Sequence, residues 1–272
     1  MKKILLIGTG GTIACVKDNS IHLDTPFKIT EHCKFDDVIF DCKSPFTVLS
    51  ENIDFTLWQM LIDFIKSQNL KKYSGVIILH GSDTLAYTGA LLANIFYDES
   101  ICLTASDKPV EDKGSNAVKN FTDAVDYILS GKKGIVVSYD GIKPADCTAS
   151  ADGNDKFIVT GQPQPKLKNP VFSPKNILVI NPYPSINYDN FSLDNVDAVL
   201  HTMYHSATAP KNALDFIARC RDKNIPFYFV TEKDKAEYES AKDFDSIIFN
   251  CTLESAFSRN LLTRKKFSAI IY

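Results

Sequence analysis

Short runs of apolar residues alternate along the chain with segments in which apolar positions recur every three or four residues. The runs Lys3–Ile7, Val76–Leu79, Ile101–Thr104 and Ile135–Ser138 are almost unbroken in their hydrophobicity, the pattern of strands covered on both faces of a parallel sheet. Between them, Ile53, Phe55, Trp58, Leu61, Phe64 and Ile65 lie close to one face of a helix, and Ala117, Val118, Phe121, Ala124, Val125, Ile128 and Leu129 do so more cleanly. This alternation predicts βαβ units, with the helices covering the sheet.

The texture changes between Gly161 and Asn181, where Gln162-Pro163-Gln164-Pro165 is followed by Pro170 and Pro174, with Pro182 just beyond. Proline has no N–H to give to a ladder or a helix, so this stretch reads as a connection between domains. After the proline cluster the alternation resumes with Ile177–Ile180, Ala198–Leu200, a helix around Ala213–Arg221, then Phe227–Thr231 and Ser246–Phe249. The expected division is residues 1–165 for an N-terminal domain, 166–180 for a linker and 181–272 for a short C-terminal α/β domain.

Composition narrows the class of protein. With 272 residues, 44 % of them hydrophobic and 23 % charged, the sequence is long enough to fill one large core or two modest ones. Its 33 acidic and 30 basic side chains are mixed along the length and leave a net charge of −3, so no basic stripe offers itself to a phosphate backbone and nucleic acid is not an expected partner. The apolar run after Met1-Lys2-Lys3 ends at Gly8, too short for the roughly 7–15 residues of a signal peptide's apolar region. No stretch approaches the ~20 apolar residues that span a bilayer, so no membrane association is expected. The seven cysteines are scattered without CxxC spacing, which predicts reduced, mostly buried thiols in a cytoplasmic protein.

Two turns carry candidate chemistry. Gly8-Thr9-Gly10-Gly11-Thr12-Ile13-Ala14 follows the first strand, at the carboxyl edge where open α/β sheets bind ligands. Ile13 occupies the third glycine position of GxGxxG and no Gly-Lys-Ser/Thr follows, so a nucleotide reading is disfavoured. A threonine in such a turn can present its hydroxyl as a nucleophile while neighbouring N–H groups steady an oxyanion; the plainer reading is a tight turn with Thr12 as a cap. The strand Val76–Leu79 runs into a second hydroxyl-rich turn, His80-Gly81-Ser82-Asp83-Thr84. Parallel strands bring both turns to the same edge of the sheet, which favours the functional reading.

Thr9-Gly10-Gly11-Thr12-Ile13-Ala14 and His80-Gly81-Ser82-Asp83-Thr84 resemble the two signature motifs of the bacterial L-asparaginase family, usually TGGTIA and HGTDT. The resemblance continues through Leu103-Thr104-Ala105, Lys108-Pro109, Asn116, Ser138-Tyr139-Asp140-Gly141 and Tyr204 to Pro210, with a C-terminal part shorter than usual. It implies an α/β fold: an N-terminal three-layer parallel-sheet, flavodoxin-like domain that holds the catalytic site, with a smaller C-terminal α/β domain. It also implies that Thr12 is the nucleophile and that Ser82 and Asp83 are the second hydroxyl and the carboxylate that orient substrate. Gly11, Ser50, Glu51, Gly81, Ser82 and Asp83 are the implied substrate-binding residues, Ser50 gripping the substrate's α-carboxylate and Asp83 its α-amino group. The implied reaction turns L-asparagine, or a related amino-acid amide, into L-aspartate and ammonia, with no metal or organic cofactor. Self-association into a dimer or tetramer follows from the same resemblance.

Several positions depart from the family. Ser82 stands for threonine and keeps the hydroxyl. The family's lysine near a downstream Thr-Lys pair has no counterpart in Ala145-Asp146-Cys147-Thr148-Ala149-Ser150-Ala151-Asp152-Gly153; alignment puts Thr148 or Ala149 at that position. Without a cationic amine the second hydroxyl stays close to a plain alcohol at neutral pH, and Lys143 and Lys156 are the flanking amines. The loop Cys15–Asp24 lacks the family's tyrosine and offers His22, while Thr208 stands for an asparagine given across a subunit interface. Glu51 replaces a neutral amide beside the α-carboxylate grip and repels a carboxylate. Three functions therefore compete: an asparaginase-type amidohydrolase, slowed or shifted in preference; an amino-acid-binding protein on the same fold without turnover; and a nucleotide-dependent enzyme.

Overall fold

A computed structural model of the protein describes residues 1–262. They form two compact units that divide between Val159 and Thr160. Segment 166–180, expected as a linker, thus lies within the second unit, and its last residues, Ile177–Ile180, form a strand. The prolines keep residues before this strand out of regular structure, but they end early enough for Ile177–Ile180 to pair.

The first unit contains β1 (Lys2–Gly8), β2 (Cys15–Lys17), β3 (Ile21–Leu23), α1 (Ile29–His32), β4 (Val38–Lys43), α2 (Phe55–Ser67), β5 (Gly75–Leu79), α3 (Leu85–Ile95), β6 (Ser100–Thr104), α4 (Ala117–Leu129), β7 (Gly134–Ser138) and β8 (Ile142–Pro144). Its main sheet has the order β4-β1-β5-β6-β7-β8, parallel throughout except for β8 at the edge. Counting only the parallel strands, the order is the doubly wound 2-1-3-4-5 arrangement, in which the connections leave β1 and β5 on opposite sides and open a crevice at their carboxyl ends.

Alternate strand residues point to opposite faces. Ile4, Leu6, Ile77, Leu79, Cys102 and Val136 join Ala117, Phe121, Ala124, Val125 and Ile128 of α4 in one cluster. The intervening Leu5, Ile7, Val76 and Ile78 are also buried, so the sheet is covered on both faces and the unit has three layers. Trp58 of α2 donates from its indole nitrogen to Thr88 Oγ1 of α3 at 2.9 Å, satisfying a polar group that the packing would otherwise strand. Asp54 caps α2 by accepting from Leu57 N–H at 2.9 Å, which is why the helix begins at Phe55 and not at Ile53.

The second unit contains β9 (Ile177–Ile180), β10 (Ala198–Thr202), α5 (Ala213–Asp222), β11 (Phe227–Val230), β12 (Ile247–Ile248) and α6 (Leu253–Asn260). Its parallel sheet runs β12-β11-β10-β9. Tyr188, Phe216, Phe227 and Phe229 lie in one core cluster, and the Tyr188 and Phe216 rings stack with centroids 5.3 Å apart. Among the described residues no helix is long and apolar enough to cross a membrane, and all seven cysteines are free thiols, five of them buried.

Candidate active site

The crevice between β1 and β5 is closed by three backbone segments in direct contact. Thr9 donates its N–H (3.0 Å) and its hydroxyl (2.8 Å) to the Leu79 carbonyl, tying the first turn to the end of β5. Gly11 N–H donates to Val48 O at 3.2 Å, and Val48 N–H returns a bond to Thr9 O at 3.0 Å. A Cβ at Gly11 would overlap the Gly81 nitrogen and Cα, and one at Gly81 would collide with the Ser50 side chain and lie 3.1 Å from Gly11 Cα. Glycine is required at both positions because the turn bearing Thr12, the turn bearing Ser82 and the segment ending in Ser50 touch backbone to backbone.

The structure therefore brings the sequence-predicted residues together. Ser50 is buried and donates its hydroxyl to Asp83 Oδ2 at 3.3 Å. Thr84, absent from the sequence expectation, donates its hydroxyl to the Ser50 carbonyl at 3.0 Å. Thr12 and Ser82 are half-buried and Asp83 is exposed at the rim. Thr12 opens a short 3-10 turn, Thr12–Ala14, and Cys15 below it donates its thiol to the Gly11 carbonyl at 3.3 Å. Burial raises the Cys15 pKa, and the nearby negative charge of Glu51 adds to the rise. Glu51 itself is exposed and belongs to the 3-10 turn Ser50–Asn52.

His80 is a component that sequence reasoning passed over. Its ring is fully buried, Nδ1–H donates to the Gly81 carbonyl at 2.8 Å, and Nε2 has no partner among the described residues. Burial lowers its pKa from 6.5 to about 4, so the ring is neutral at pH 7. Because C=O and N–H point in opposite directions across a trans peptide, holding the Gly81 carbonyl against the imidazole turns Ser82 N–H away from it. The Val48 backbone is likewise structural to the site and has no signal in sequence, since any residue supplies its two hydrogen bonds.

Of the two flanking amines one is engaged elsewhere and the other is exposed. Lys143 Nζ donates to the carbonyls of Tyr139, Asp140 (3.1 Å) and Gly141 (3.5 Å), closing the β7–β8 turn, and burial lowers its pKa. Lys156 is exposed. Thr148 is fully buried and donates its hydroxyl to Pro144 O at 2.7 Å. Among the described residues no lysine amine bonds to Thr12 or Ser82. His22 is exposed on β3, where Nδ1 donates to the Ser20 carbonyl at 3.3 Å and lies 3.6 Å from Asp18 Oδ1. In the second unit, Thr208 lines a cavity of about 570 Å³ with Tyr183, Tyr204 and Asn212 and shares a 3.0 Å bond with the Ser206 hydroxyl.

A doubly wound sheet with hydroxyl-rich turns meeting at its switch point defines an α/β protein of the kind that binds ligands in the crevice outside the carboxyl ends of its strands. A family profile described as "Asparaginase, N-terminal" matches residues 3–146, just over half of the 272 residues, and the chain belongs to the asparaginase family. It is 30 % identical over 148 residues to the L-asparaginase of Thermococcus kodakarensis, covering 50 % of this chain and 44 % of that protein. It is 27 % identical over 135 residues to the D-type subunit of the glutamyl-tRNA(Gln) amidotransferase of Aeropyrum pernix, covering 46 % and 31 %. The matched stretch thus spans less than half the length of these relatives. Among solved structures, an L-asparaginase I from Vibrio cholerae superposes with a TM-score of 0.78 at 20 % identity, covering 96 % of this chain and 92 % of the other. A probable cytoplasmic L-asparaginase from Campylobacter jejuni gives 0.76 at 16 % identity, covering 98 % and 96 %. At these identities the likeness is one of fold.

Proposed function

We propose that the protein is an amidohydrolase that releases ammonia from the side-chain amide of asparagine or a related amino-acid amide, with Thr12 as the nucleophile. The observation that carries this reading is the backbone contact of Gly11 with Gly81, which joins the Thr12 turn to the Ser82-Asp83 turn. The Thr12 hydroxyl attacks the amide carbon, the C–N bond breaks, and ammonia leaves with the proton that the hydroxyl gave up. Water then cleaves the resulting ester, returning the Thr12 hydroxyl and a carboxylate. The N–H groups of Thr12 and Ser82 have no acceptor among the described residues and supply the developing oxyanion with donors. This chemistry needs no metal or organic cofactor. A cytoplasmic location and self-association into a dimer or tetramer belong to the same reading.

Ammonia release from L-asparagine and L-glutamine tests it. Turnover is expected in the unaltered protein and its loss in Thr12→Ala, with the fold retained; turnover that survives this substitution removes Thr12 from the nucleophile's role. The second reading, a binding protein without turnover, draws on the segment Ala145–Gly153, which has no lysine, and on Lys143, which is held by its own turn. It expects amino-acid ligands to raise the melting temperature with no ammonia formed.

A further inference from the structure

Helix α4 turns an apolar face to the sheet, with Ala117, Phe121, Ala124, Val125 and Ile128 in the core cluster, and one amide interrupts that face. Asn120 is fully buried, which is costly for an amide unless its polar atoms are bonded. Its Nδ2 donates to the Ala105 carbonyl at 2.9 Å, and its Oδ1 accepts from the Asp140 N–H at 2.9 Å. These partners lie in different loops, one after β6 and the other after β7. Serving a carbonyl and an N–H at once takes a donor and an acceptor on separate atoms, which a carboxamide supplies and a carboxylate or an alkyl group does not. The Asp140 backbone held in this way is in the left-handed region, with φ 46°.

The bonds continue toward the candidate site. Ser138 Oγ donates to the Asn120 carbonyl at 2.7 Å, and Thr104 Oγ1 donates to the Ser138 carbonyl at 3.0 Å. The Thr104 carbonyl in turn accepts from His80 N–H at 2.9 Å, and His80 begins the turn that carries Ser82 and Asp83. Asn120, Ser138, Thr104 and His80 are all fully inaccessible to solvent, and the low local dielectric strengthens each link between them. We propose that Asn120 is a positioning residue of the site. By clamping the loops after β6 and β7 it fixes the carboxyl ends of those strands, and through Thr104 it holds the Ser82-Asp83 turn in place. It acts through that turn and not on substrate. Its effect on the reaction rests on the amidohydrolase reading, in which the turn orients the amide for attack.

The test compares two variants with a control. Asn120→Leu keeps the size of the side chain and removes both of its bonds, and Thr104→Val removes only the bond to Ser138. The control is Tyr127→Phe, on the same helix, whose lost hydroxyl donates to Gly134 O at 3.1 Å at the amino end of β7. His80 and Leu85 carry the bonded N–H groups at the two ends of the turn. Their hydrogen exchange in the full-length protein, read by NMR relative to Leu5 of β1 to remove any change in overall stability, is expected to quicken about tenfold in Asn120→Leu and Thr104→Val and to stay unchanged in Tyr127→Phe. Ammonia release from L-asparagine should lose roughly 10–100-fold in kcat/KM in the first two and not in the third. Thr104→Val decides the matter if Asn120→Leu does not fold. Relative exchange unmoved by the two variants, or raised as much by Tyr127→Phe, overturns the inference, as does a loosened turn with unaltered kcat/KM. Absence of ammonia release from the unaltered protein defeats the amidohydrolase reading, and the exchange measurement then decides the clamp alone.

Discussion

Thr148 and Ala149 look interchangeable in sequence as places to restore a lysine, but their surroundings differ. Thr148 is fully buried and bonded to the Pro144 carbonyl, so Thr148→Lys leaves that carbonyl without its donor and drives an ammonium into the interior. Loss of the bond alone costs about 1 kcal/mol, and an unpaired buried charge costs more. Ala149 is half-buried, which lets a lysine there keep its amine at the surface. Thr148→Lys is therefore expected to lower the denaturation midpoint well below that of Ala149→Lys; equal midpoints would show that the segment yields easily. At this scale the resemblance to the family's two motifs singled out Thr12, Ser82 and Asp83 as candidates, and the fold brings the turns that carry them into contact. Thr84 and His80 were hidden, because their parts depend on carbonyls that only folding brings near.

The two glycine turns work as one element. Gly11 has φ 78° and ψ 177°, a region essentially confined to glycine, and its Cα faces the Gly81 backbone with no room for a methyl group. Gly131 has a comparable φ of 71° but open space around it. Gly11→Ala is expected to cost backbone strain plus separation of the turns, about 2–5 kcal/mol together, and Gly131→Ala only about 1–2 kcal/mol. Urea denaturation reads the difference, and the thermal shift with L-asparagine should vanish in Gly11→Ala alone. Elsewhere, legibility followed contrast in the pattern. The helix read over residues 117–129 is α4, Ala117–Leu129, since it has one buried and one wet face. Helix α3 has eight of its eleven residues buried and none exposed, and so little periodicity to read. Strand β4 is a half-exposed edge carrying Asp41 and Lys43, so it lacks the unbroken apolar run that marks the other strands.

At the level of the whole molecule, the two units share a device that ties stability to pH. His80 in the first and His201 in the second are both fully inaccessible to solvent, and burial lowers each pKa from 6.5 to about 4. His201 donates from Nδ1 to the Thr202 carbonyl at 2.6 Å and its Nε2 accepts from the Tyr188 hydroxyl at 2.8 Å, an arrangement that only the neutral ring satisfies. An unfolded polypeptide takes up these protons near pH 6.5, whereas the folded units resist them until about pH 4. Between those values the unfolded state binds more protons, so stability falls as pH falls. The contribution is complete above pH 6.5 and is worth about 3 kcal/mol for each histidine. Thermal unfolding followed from pH 7 down to pH 4.5 should show a steady loss of stability through this window, ahead of the carboxylates that titrate lower. In His80→Asn the amide nitrogen takes the place of Nδ1 on the Gly81 carbonyl and nothing titrates, so the slope contributed by the first unit should flatten while that of the second persists. A slope unchanged by this substitution would mean that His80 already carries its proton in the folded protein, and that the buried turn beneath Ser82 tolerates charge.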